Sequence, residues 1–275
     1  MKNIKKGKFL SPIAMAMIFI LSSCGNKDTV TPATPTGTFL FHLHTDIDSS
    51  EVAAYNTVYT TRSGRKISLS LAQLYISGIQ LVKLDGSTVD LTGKKILKTF
   101  ESEDILVGDA PVGNYKSVRF KVGLDATTNA LNASKDSLLN SRQEMWFSSA
   151  SQPDGYIFLN VQGTIDTSST LNKPLVPFVY KIGTNANYTQ ISMEDKNFTI
   201  VEGKAVFSHI NINYSNLFTG ITLHQTGNLS VTTASANSSA LALKIVNNIS
   251  SMFSYEQWNS YQLSAISFFL KADSW

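Results

Sequence analysis

Residues 38–48 (Thr-Phe-Leu-Phe-His-Leu-His-Thr-Asp-Ile-Asp) carry the clearest strand pattern in the chain. Side chains on a strand alternate between its faces, so Phe39, Phe41 and Leu43 point one way into a core, while Leu40, His42, His44 and Asp46 share the other face. Comparable alternation recurs at residues 55–61, 66–84, 118–122, 156–163, 175–183, 197–201 and 204–213. Arg-Ser-Gly-Arg at 62–65 reads as a hairpin turn, Ser77-Gly78 as a bulge or sheet crossing, and Asp85-Gly86 as a second hairpin turn. Residues 107–115 read as a turn leading into the strand that buries Val118, Phe120 and Val122. Residues 126–144 have no period-2 pattern and suit a long loop with a helical turn or two. Between 238 and 253 the period changes, with Leu241, Ile245, Ile249 and Met252 at helical spacing, and residues 261–270 suit a final strand. Many short strands, no βαβ alternation and a late helix predict an all-β domain over 38–275: an antiparallel β-sandwich with one or two short helices.

The N-terminus changes the cellular picture. Lys2, Lys5, Lys6 and Lys8 precede an apolar run at 12–21 that is too short to span a bilayer, which predicts a secretory signal over 1–23. It ends in Leu-Ser-Ser-Cys, which resembles the lipobox of bacterial lipoproteins and implies cleavage before Cys24 and lipidation of its thiol. Residues 24–37, rich in Thr, Pro and Gly, would be a flexible spacer between lipid and domain. The expectation is a lipid-anchored protein of the bacterial cell envelope. Gly25, in place of an acidic residue after the cysteine, favours the outer membrane over the inner. The formal charge of +3 owes four lysines to the signal, so the body is near −1, with no clustered basic face for nucleic acid. Cys24 is the sole cysteine, so no disulfide is available and the domain stands on its core.

Candidate chemistry centres on the strand histidines. An i, i+2 pair sets two imidazoles on one face within reach of a single ion, and imidazole suits copper, zinc, nickel and iron. From spacing alone a metal-free, hydrogen-bonded pair fits equally well. His209, on a face with Phe207, Asn211 and Asn213, is expected to be hydrogen-bonded or solvated, and His224 to lie in a loop. Asp46 and Asp48 could add oxygen ligands or accept a histidine N–H, and Asp125 is expected to cap a turn. No Gly-X-Ser-X-Gly elbow, His-Glu-X-X-His or phosphate loop occurs, which argues against an enzyme.

A set of fragments in fixed order adds a family resemblance. They are Phe-His-Leu-His at 41–44, the run from Gly64 to Leu81, Pro-Val-Gly-Asn-Tyr at 111–115 with Phe-Lys-Val-Gly-Leu-Asp at 120–125, Glu-Met-Trp at 144–146, and Gly-Tyr-Ile-Phe at 155–158. Leu217-Phe218 and Ala-Leu-Lys-Ile-Val-Asn-Asn at 242–248 complete them. Together they resemble the MbnP-like family of copper-binding periplasmic proteins and lipoproteins, from about Phe39 to Phe253. The resemblance implies a β-sandwich that binds one copper ion through His42 and His44. It also implies a tryptophan, matched here by Trp146, that a dihaem partner enzyme oxidises. Lys181 stands where relatives often carry a histidine. The functional expectation is a membrane-anchored, extracytoplasmic copper-binding lipoprotein for uptake, storage or delivery, without catalysis of its own. The alternative is a metal-free β-sandwich surface lipoprotein that binds protein or glycan.

Overall fold

The computed structural model describes residues 34–91, 93–148 and 155–256. The signal, Cys24, most of the spacer, Trp258 and the expected strand at 261–270 lie outside the described residues.

The first half of the chain forms β1 (Thr36–Ile47), β2 (Ser50–Glu51), β3 (Tyr59–Thr60), β4 (Lys66–Lys83), β5 (Thr88–Asp90), β6 (Ile96–Lys98), β7 (Asp104–Pro111) and β8 (Gly113–Val122). A helical loop follows, with α1 (Ala126–Asn129) and α2 (Ser137–Asn140). The second half supplies β9 (Ile157–Ile165), β10 (Val176–Gly183), β11 (Thr189–Ser192), β12 (Phe198–Ile200), β13 (Ala205–Asn213), β14 (Ser230–Val231), α3 (Ala240–Ile249) and β15 (Phe253–Tyr255).

Two sheets result. The larger runs β11-β8-β4-β9-β10-β14, with β12 also on β8 and with β3, β5 and β6 on β4. Its spine is β4, which pairs with β9 through Leu74 and with β8 from Ile76, and changes register between Ser77 and Gln80. Gly78 there has φ 56°, a conformation that favours glycine, as the sequence predicted for this position. The smaller sheet runs β15-β13-β1-β2, with β7 also on β1. Both sheets turn apolar faces inward. Phe39, Phe41 and Leu43 from β1 meet Val118, Phe120 and Val122 from β8 in one core, where the Phe41 and Phe120 rings pack edge to face at 5.8 Å. The expected helix forms as α3, capped by Ser239, whose side chain accepts from the Ala242 N–H, and it buries Ala242, Ile245 and Ile249.

The fold is the expected all-β sandwich, with two differences in detail. The sheets are mixed: β13 runs parallel to β1, and β14 parallel to β10. A parallel pair needs a long crossover connection, and here nearly the whole larger sheet lies between β1 and β13 in sequence. Residues 104–111, expected to include only a turn, form the edge strand β7 on β1. Gly108 and Pro111 disguise it, and both are tolerated because β7 lies at a sheet edge.

Candidate metal centre

The solvent face of β1 is also the outer face of the smaller sheet. Because β13 pairs with β1 in parallel register, His42 lies directly beside His209, and His44 beside Asn211. The His42 ring centroid is 4.5 Å from that of His44 and 4.8 Å from that of His209. Each of the three offers a ring nitrogen, and these atoms lie within 4.8 Å of one another. All three side chains are partly buried, 16–25 % exposed, enough shelter to limit competition from water while leaving access.

Each imidazole meets a carboxylate at the same nitrogen. Nδ1 of His42 is 2.5 Å from Asp104 Oδ1, Nδ1 of His44 is 3.2 Å from Glu51 Oε1, and Nδ1 of His209 is 3.3 Å from Glu256 Oε2. The acids come from three places: β7, β2 and the residue following β15. At His42 and His44, where the contact is a hydrogen bond, the carboxylate holds the ring in the tautomer protonated at Nδ1 and makes Nε2 the nitrogen presented to an ion, the usual arrangement around protein metal sites. Nε2 of His44 is buried, makes no hydrogen bond and lies 3.7 Å from Glu256 Oε2. Burial and the neighbouring His42 hold the His209 imidazole below its ordinary pKa, favouring the neutral, ligating form. A donor set of neutral imidazoles fits copper, zinc or nickel, and affinity within such a set peaks at copper(II).

South of the histidines along β1 the face becomes acidic. Asp46 pairs in register with Glu51 on one side and Asn213 on the other. Burial pushes its carboxyl up to about 6, against the opposing pull of His44. A cleft of about 540 Å³ opens here, lined by His44, Asp46, Glu51, Glu194, Asn211 and Glu256 among others.

His42 and His44 stand together as the sequence predicts. His209, expected to be an isolated polar residue, is the third member of the cluster. Its signal was the alternation of residues 205–213, which puts it on the polar face of a strand as His42 is on its own. Asp104, Glu51 and Glu256 carried no sequence signal, since register alone selects them.

Trp146 lies elsewhere. It is buried in a separate apolar cluster with Tyr75, Leu139, Met145, Tyr156 and Phe158, its indole N–H donates to the Leu139 carbonyl at 2.9 Å, and it bridges to Tyr156 just before β9 of the larger sheet. The expectation of a tryptophan beside the metal therefore does not fit this residue, because the helical loop at 126–145 folds the indole into its own core. Lys181 also belongs to the larger sheet, opposite Asn160, away from the histidine face. His224 is exposed in a turn. Asp125 caps α1 as expected, accepting from the backbone N–H and the hydroxyl of Thr128.

Residues 36–262 match the MbnP family. Among solved structures the chain is similar to MbnP from Methylosinus trichosporium, at 16 % identity and a TM-score of 0.46, over 67 % of this chain and 78 % of that one. No curated protein matches. With the family match extending over most of its length, this chain belongs to the MbnP family.

Proposed function

We propose that the protein holds one copper ion at His42, His44 and His209 and serves copper uptake, storage or delivery in the cell envelope, tethered through a lipid on Cys24 at the outer membrane. The observation that carries this reading is the parallel pairing of β1 with β13, which brings His209 beside His42. Three imidazoles, each with a carboxylate at Nδ1, make a compact, ordered nitrogen set of the kind copper favours. Membership in a family linked to copper agrees with it.

The residues around the histidines suit holding an ion rather than transforming a substrate. Asp104 and Glu51 hydrogen-bond the His42 and His44 rings, Glu256 lies beside His209, and the sequence carries no Gly-X-Ser-X-Gly elbow, His-Glu-X-X-His or phosphate loop. A dihaem partner enters only through an oxidisable tryptophan at the metal. The packed, hydrogen-bonded indole of Trp146 lends that role no support.

The test is a copper titration of the full chain beside a His42→Ala/His44→Ala double variant, with metal retained after desalting measured by mass spectrometry. One copper per wild-type chain, lost in the variant, is the expected result. No copper retained by the wild-type chain would overturn the reading and leave a metal-free surface module.

A further inference from the structure

The outer face of the smaller sheet exposes apolar side chains directly beside the histidines. Register places Leu106 of β7, Leu40 of β1 and Phe207 of β13 in one cross-strand row, and Asp104, His42 and His209 in the next. Neighbouring rows on one face of a sheet stand about 7 Å apart, and the rings of Phe207 and His209 are 6.1 Å apart between centroids. Leu106 is 52 % exposed and Phe207 43 %, with Leu40 partly buried between them. Isolated exposed apolar residues are ordinary, but contiguous ones mark interaction sites. Beyond Phe207 a cavity of about 280 Å³ opens, lined by Phe198, Phe207, His209, Tyr255 and Lys196 among others. Protein interfaces commonly seat an aromatic or aliphatic anchor side chain in such a pocket.

Charge specifies the occupant further. Asp104 and Asp109 on β7 bracket Leu106, Glu101 and Glu103 precede them, and Glu51 flanks His44; all five are exposed. At the β13 side Lys196 is committed elsewhere, its Nζ donating to the Glu256 carbonyl at 3.1 Å and lying 5.2 Å from the centre of the Tyr255 ring. The rim along β7 and β2 is therefore acidic, and its complement is a basic protein surface, not a second copy of the same acidic face.

We propose that the row of Leu106, Leu40 and Phe207 is the docking surface for a copper-exchanging partner protein. The partner seats an apolar anchor in the cavity beside Phe207 and sets lysines or arginines against the acids of β7. It would lie one row from His42 and His209, so the ion can pass by exchange of imidazole for the partner's ligands, without change of oxidation state. The cargo rests on the copper reading above, whereas the surface rests on register, exposure and charge.

The experiment places a photo-crosslinking phenylalanine analogue at Leu106, at Phe207 and, as a control, at Leu243 on α3, in the full chain in its native cells. The expected result is one protein captured from both row positions and absent from the control. That protein is then purified and mixed with the copper-loaded chain, and transfer is timed. Leu106→Arg and Phe207→Ala should each slow transfer by about tenfold or more, and added salt should slow it further. Copper affinity by chelator competition should stay at the wild-type value in both variants. Crosslinks from the row that reach only lipid, a second copy or another part of the same chain would overturn the proposal, as would wild-type transfer rates in both variants. A chain that retains no copper, yet binds the captured protein in a manner weakened by salt and by Leu106→Arg, would uphold the docking surface and refute the copper reading of its cargo.

Discussion

His42 and His209 are direct register partners on two parallel strands, 167 residues apart in sequence and 4.8 Å apart between ring centroids. That single pairing turns a histidine pair into a three-imidazole cluster. Because β13 is held between β1 and β15, His209 is positioned by backbone hydrogen bonds on both sides and not by a loop. A site on paired strands is more rigid than one on loops.

The carboxylate at His42 should matter nearly as much as the ring. Asp104→Asn keeps the shape of the side chain but removes the charge that fixes the Nδ1–H tautomer. It should lower copper affinity about 10- to 100-fold, the usual range for such supporting partners, as measured by competition with a chromophoric chelator. An affinity within twofold of wild type would show that Asp104 does not orient the ring.

The opposite face of the same strand carries stability. Phe41 is fully buried and packs on Phe39 and Phe120. Phe41→Ala should cost about 3–5 kcal/mol in a urea unfolding experiment, the sum of lost transfer energy and a cavity between the sheets. Leu106→Ala, at an exposed position on the edge strand β7, should change stability by less than about 0.5 kcal/mol.

A buried amine makes stability depend on pH. Lys98 on β6 is fully buried, its Nζ has no hydrogen-bond partner, and burial pushes its pKa down to about 8, against partial compensation from Glu103, Glu101 and Glu51. Unfolding restores the ordinary value of 10.5, so between pH 8 and 10.5 the unfolded chain binds more protons than the folded one. The contribution of Lys98 to stability therefore rises with pH across that window and is lowest below pH 8. Lys98→Met, similar in shape and without a charge, should raise the urea midpoint at pH 7 by an amount worth a few kcal/mol and flatten the rise between pH 8 and 10.5.

Much of this was written in local pattern. The alternation around His42 predicts both faces of β1, the Asp85-Gly86 step predicts the turn joining β4 to β5, and the spacing of Leu241, Ile245 and Ile249 predicts α3, because each depends on neighbours within a few residues. What the sequence hid is what depends on register between distant strands. His209 had no ligand near it in sequence, and only the parallel β1–β13 pairing supplies His42 and His44. Asp104 was concealed in the same way, since β7 reads as a turn until its pairing with β1 is seen. Trp146 shows the converse error. A match at a sequence position does not fix where a side chain points when the helical loop before it builds a core of its own.

The most direct test of the three-histidine centre is the copper affinity of the full chain carrying His209→Ala, measured by chelator competition beside wild type and His42→Ala. A loss in His209→Ala as large as that in His42→Ala is the predicted result, with one copper per wild-type chain. Wild-type affinity in His209→Ala would contradict the account, confining the site to the β1 pair and making the β1–β13 register incidental to it.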